Sequence, residues 1–209
     1  MINLSSRFLV LLTCFWMLNL SPVKADSPLT STGFWEAYQK ERIIKYARAK
    51  GKMNKKIAKF LMKPEVSMGL KAAVCNSLGW NFDGQKNALF FLNLLVEEYH
   101  FSMDKIDWNK LSADELACYG YLLAMDDYFH PGNGLQAMNL ALEKNGKSLA
   151  IQMLVALVKS QIAFDEDWCA VYTVVQSVNE NKSLDADLNE TAREIIMEYI
   201  RLYQDSCSK

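Results

Sequence analysis

Apolar residues recur along this chain every three to four positions, in runs separated by residues that cap or stop helices. Ser31 and Thr32 stand before a helix expected from about Phe34 to Lys50, with Gly51 as its stop. Asn54 opens a short basic helix from Lys55 to Lys63, and Pro64 and Glu65 suit the first turn of the next. That helix carries Leu70, Ala73, Val74, Ser77 and Leu78 and breaks at Asn81-Phe82-Asp83-Gly84. Residues 85–99 form a strongly apolar helix, and His100 to Leu111 is a longer connection. Ser112-Ala113-Asp114-Glu115 is a capping box leading into Leu116 to Met125. Tyr128 to Gly134 is a turn, and Leu135 to Glu143 is helical up to Asn145-Gly146. Ser148 caps the next helix; only Lys159 is charged between Leu149 and Ile162, so that helix is expected to be covered on more than one side. Asp165 is expected to cap a helix with Trp168, Val171, Tyr172, Val175 and Val178 on one face. Asp187-x-x-Glu190 reads as a second capping box before a final helix through Ile195, Ile196, Tyr199, Leu202 and Tyr203. No segment alternates at period two, and the fold class is all-α.

Three blocks share one shape, a helix, a short turn containing Asp, and a second helix: residues 65–99, 115–144 and 148–179. Their second helices carry Asn87-Ala88, Gln136-Ala137 and Cys169-Ala170 near the start. A stack of antiparallel hairpins of this size resembles tetratricopeptide-type and related solenoids. The repeated Trp, Leu-Gly and Tyr pattern of that class is missing, since Leu78-Gly79 occurs in the first block alone. The architecture expected is therefore a degenerate hairpin stack, with a compact helical bundle as the alternative.

The N-terminus adds a location. Arg7, the apolar run Phe8 to Leu18 and then Ser21-Pro22-Val23-Lys24-Ala25 have the layout of an export signal, with a cut expected after Ala25. The run is shorter than the ~20 apolar residues a membrane span needs. A periplasmic or secreted protein beginning at Asp26 is the reading. Charge is then divided along the chain. Residues 26–63 hold 10 Lys/Arg against 3 Asp/Glu, whereas residues 64–209 hold 11 against 21. A basic arm thus precedes an acidic body, and it either packs on that body or meets a charged partner. Outside the signal, Cys75, Cys118, Cys169 and Cys207 make an even set in an oxidising compartment, which favours two disulfides. If the last two helices pack antiparallel, Cys207 falls beside Cys169, leaving Cys75 to pair with Cys118.

Candidate chemistry is sparse. The chain has no Gly-x-Ser-x-Gly, His-Glu-x-x-His or phosphate-binding glycine loop, and neither His100 nor His130 sits in a ligand-spaced pair. His130, beside Asp126 and Asp127, is the best base available. No catalytic set, metal or cofactor is expected. The acidic turns carry the most specific signal: Asp83, then Asp126 and Asp127, then Asp165, Glu166 and Asp167 mark the three hairpin tips. Stacked in register, the tips make an acidic ridge suited to a basic protein surface. The function expected is that of a non-catalytic exported protein binding another protein, such as an immunity-type inhibitor of a toxin or hydrolase. The alternatives are attachment to anionic lipid through residues 40–63, or an enzyme with a carboxylate site at the acidic turns. Nucleic acid is not an expected partner of an acidic body.

Overall fold

The computed structural model describes residues 26–208, and the export signal expected over residues 1–25 lies outside the described residues. The described residues form nine α-helices and no strand. In chain order these are α1 (Arg42–Lys50), α2 (Lys55–Leu61), α3 (Met68–Ser77), α4 (Asn87–Glu98) and α5 (Ala113–Asp126), followed by α6 (Leu135–Lys144), α7 (Leu149–Ala163), α8 (Trp168–Glu180) and α9 (Glu190–Ile200). Short 3₁₀ segments precede α1 at Phe34–Tyr38, precede α6 at Pro131–Gly134 and follow α9 at Arg201–Ser208.

Three helix starts coincide in sequence and structure. Asn54 accepts from the Lys56 and Ile57 N–H groups, Ser112 and Glu115 form the reciprocal capping box, and Ser148 accepts from Ile151 N–H. Three other expected starts are displaced. Asp187 is not the cap of α9; Asn189 is, accepting from Thr191 and Ala192. Asp187 caps α7 instead, accepting from Ser148 Oγ (2.5 Å) and Ala150 N–H (2.9 Å). The start of α7 is buried, so its orphan N–H groups need fixed acceptors that water cannot replace. Asp167, two residues later than expected, caps α8 through Ala170 N–H. α3 begins only at Met68, after Ser67, and not at Pro64.

The expected first helix is divided. Asn76 of α3 accepts from Trp35 N–H (3.1 Å) and donates to Thr32 O (3.1 Å) and Tyr121 Oη (3.0 Å). The Phe34–Tyr38 backbone is thus held by the body, and Glu41, extended, starts a new helix.

Two of the three expected hairpins form: α5 packs along α6, and α7 along α8. The first does not. α4 lies antiparallel to α5, with Ala88 N–H donating to Asp126 (2.7 Å) at one end and Tyr99 Oη donating to Glu115 (2.9 Å) at the other. α3 passes into the interior against α1, α5, α7 and the Phe34–Tyr38 segment. Its small residues explain this: Gly69, Ala72, Ala73, Cys75 and Ser77 are buried on every side, which an outer hairpin arm cannot be. α7 is the second such helix, buried from Leu149 to Gln161 with few interruptions, as its lack of charge implied.

The basic arm belongs to the same core. Leu29, Phe34, Ile44, Ala47, Ile57 and Leu61 are fully buried, and Asn87 accepts from Met53 N–H (2.7 Å). Its ten cations from Lys40 to Lys63 all remain exposed.

Cys169 and Cys207 form the expected disulfide, Cα–Cα 4.7 Å, tying the first turn of α8 to the Arg201–Ser208 segment. Cys75 and Cys118 correct the second pairing: they are buried thiols on the packed helices α3 and α5. Burial pushes the Cys75 thiol well above its ordinary range, and neighbouring Cys118 and Asp126 add to the shift, so it fills the core as a protonated apolar group. Denaturation without reductant is expected to expose two alkylatable thiols. Reduction of the 169–207 link, which spans 38 positions, should cost up to about 4 kcal/mol by the chain-entropy account. A urea midpoint that does not move on reduction would contradict this.

Candidate interaction surface at the acidic hairpin tips

Three turns meet at one end of the molecule: residues 79–86 before α4, 127–134 before α6, and 164–167 before α8. The first is folded onto the second by Asp126. Its carboxylate accepts from Ala88 N–H, and its backbone carbonyl accepts from Gln85 N–H (3.0 Å). Gly84 adopts φ +80°, and a Cβ there would stand 3.1 Å from that carbonyl, so the turn fits closely only with glycine.

This approach brings four rings into a chain. Trp80 packs against Tyr128 at 5.2 Å with the rings tilted by 32°, Tyr128 meets Phe129 edge-on at 5.3 Å, and Phe129 meets Phe82 edge-on at 5.4 Å. Phe82 and Phe129 are 69% and 60% exposed, far more than their size warrants. Beside them, Ile162 is 42% exposed and joins Tyr128, Phe129, His130 and Asp165 around a shallow depression of about 390 Å³.

The expected acidic residues separate into different roles. Asp83 is exposed directly after Phe82, and Asp165 lines the depression. Asp127 accepts from the backbone N–H of His130 (3.2 Å) and pairs with its ring Nδ1 (3.0 Å). Glu166 is exposed, and Asp167, also exposed, serves as the α8 cap. Asp126 leaves the ridge altogether: it is 8% exposed, and its Oδ1 has no hydrogen-bond partner. Asp83, Asp127 and Asp165 therefore surround an aromatic patch and do not form a bare acidic strip. The rings were missed by periodicity. Their signal was nonetheless present, as bulky apolar residues inside turns (Phe82, Tyr128, Phe129) where small polar ones are usual.

His130 has an orienting carboxylate, but no Ser, Cys or Thr lines the depression with it. Among the described residues, no group of three His, Cys, Asp or Glu could hold a metal ion, and no helix is long and apolar enough to cross a membrane.

Burial pushes the Asp126 carboxyl up to about 6, against the opposing pull of the Ala88 N–H and of neighbouring Asn87. The folded chain thus keeps a proton that the unfolded chain releases near pH 4. Stability from this group is present below that pH and is lost as pH rises through about 6. Between pH 5 and 7 the unfolding free energy should fall by about 1 kcal/mol more in the wild type than in Asp126→Asn. Parallel urea titrations at the two pH values measure this, and equal slopes would contradict it.

Fold and site together define a disulfide-linked, all-helical domain with an aromatic patch rimmed by carboxylates. The chain matches no protein-family model, no curated protein and no solved structure.

Proposed function

We propose that this is a non-catalytic exported protein that binds another protein, docking a basic surface on the Phe82–Phe129–Ile162 patch. The observation that supports it is the exposure of two phenylalanines whose rings are held in fixed edge-on contact. Water-exposed rings gain roughly 25 cal/mol per Å² of apolar area when covered. Rigid aromatic anchors also lose little entropy on binding. The rim of Asp83, Asp127 and Asp165 selects a cationic partner and speeds encounter. Occlusion of a basic cleft in a toxin or hydrolase, as an immunity-type inhibitor does, is the form of binding this patch suits.

The test uses immobilised residues 26–209 exposed to extract from the native cells. One protein should be retained at low salt. Its capture should fall at least about tenfold with Phe82→Ser/Phe129→Ser, the loss typical of removing hot-spot anchors. Equal capture by both forms would sink the assignment.

A second reading rests on the opposite charge. The exposed cations of residues 40–63 are largely without carboxylate partners; Lys55 and Lys63 alone form ion pairs among the described residues, with Glu97 and Glu65. Lys56 and Lys50 lie over the Tyr46 ring at 4.2 and 5.8 Å. Such a face suits an anionic lipid surface. Sedimentation with phosphatidylglycerol vesicles tests it, and binding no greater than to phosphatidylcholine would reject it.

A further inference from the structure

The junction of arm and body holds a cleft that the docking patch does not use. It has a volume of about 480 Å³, within the range of small-molecule sites. Trp35 and Trp80 line it, Met125 supplies apolar surface, and Arg48 and Glu36 bring opposite charges.

Both tryptophan walls are anchored, one by a lining residue and one from behind. Asn76 holds the Trp35 backbone, and Tyr128 backs the Trp80 ring. The Arg48 guanidinium lies 4.4 Å from the Trp35 ring centroid, which orients its planar fork without consuming its N–H donors. Arg48 and Glu36 do not pair with each other, and neither forms an ion pair with any other described residue. Two opposite charges therefore stand apart in one aromatic-walled cleft, one of them preorganised.

We propose that this cleft binds a free aromatic α-amino acid. The α-carboxylate takes the Arg48 fork in a charge-assisted contact. The α-ammonium faces the Glu36 carboxylate, and the ring of the side chain packs on Trp80 above Met125. A ligand with a single charge leaves either Arg48 or Glu36 unanswered, and a neutral sugar leaves both.

Calorimetric titration of residues 26–209 with L-phenylalanine, 3-phenylpropanoate, 2-phenylethylamine and glucose tests the assignment. L-Phenylalanine should saturate one site with a Kd below about 1 mM. The two singly charged analogues should bind at least about tenfold more weakly, each lacking one charge-assisted contact. Arg48→Gln should weaken phenylalanine by a similar factor and leave phenylethylamine unchanged. Arg48 is exposed, so the variant should fold, which circular dichroism checks. Phe82→Ser/Phe129→Ser should bind phenylalanine as the wild type does, which separates this cleft from the docking patch. Absence of saturation at 5 mM phenylalanine, an analogue or glucose binding as tightly, or indifference to Arg48→Gln would each overturn the proposal.

Discussion

Gly134→Ala is expected to cost the protein about 3 kcal/mol or more, enough to unfold a marginally stable domain. A Cβ at residue 134 would stand 2.0 Å from the carbonyl oxygen of Gly120 and 2.9 Å from its carbonyl carbon. Both are backbone atoms within α5, so no side chain can turn aside. Gly120 faces the same crossing: its own Cβ would meet Gly134 O at 2.6 Å and Met138 Cγ at 2.4 Å. The two glycines let the Pro131–Gly134 segment lie directly on α5. A methyl group must separate them, and with them the turn that carries Tyr128 and Phe129. Gly132 is the control, because a Cβ there meets only the end of Ile162 at 3.6 Å. Urea unfolding should place Gly132→Ala within about 0.5 kcal/mol of wild type, in line with surface changes. A Gly134→Ala variant of wild-type stability would show that the helices can move apart at little cost.

Asp114→Ala should be the most damaging removal of a charge. Lys71, in the middle of the interior helix α3, is 2% exposed, and its Nζ donates to Asp114 at 2.7 Å. Deleting the carboxylate leaves a buried ammonium without a counterion, a situation that costs 3–5 kcal/mol in general. Asp114 is 24% exposed, so some water can reach the site, and a loss of about 3 kcal/mol is expected. Lys71→Met removes the charge while keeping the length of the side chain. In the Asp114→Ala background it should therefore restore most of the loss. The double-mutant cycle is the measurement, since a merely structural role for Asp114 would leave the two changes additive.

The features legible in the sequence are those whose cause lies within a few residues. Asn54, Ser112 and Ser148 cap the helices they precede because donor and acceptor are three or fewer positions apart. Cys169 and Cys207 were also accessible, because the geometry of two consecutive helices brings them together. Remote satisfaction is invisible to such reading. Asp187 looks like the start of a capping box yet serves α7, and Asp126 looks like a surface carboxylate yet holds the turn before α4. The interior position of α3 is hidden for a related reason. Its larger residues Leu70, Val74 and Leu78 trace one stripe, while the glycine and alanines that make its other sides packable carry little hydrophobic signal. A single stripe suggests a hairpin of α3 with α4, whereas α4 packs along α5. The acidic tips suggest a ridge because charge is visible residue by residue. The ring chain Trp80–Tyr128–Phe129–Phe82 required knowing that the turn before α4 folds onto the end of α5.

Photo-crosslinking in the native cells tests the docking patch most directly. A benzoylphenylalanine placed at residue 129 or 82 should give a discrete adduct with one partner protein. The same group at residue 202, also 69% exposed in the wild type, should give none. Reversing the rim with Asp83→Lys, Asp127→Lys and Asp165→Lys should abolish the adduct from residue 129. An adduct that forms from residue 202 and not from 129, or one that survives the reversed rim, would contradict a partner docked on the aromatic patch.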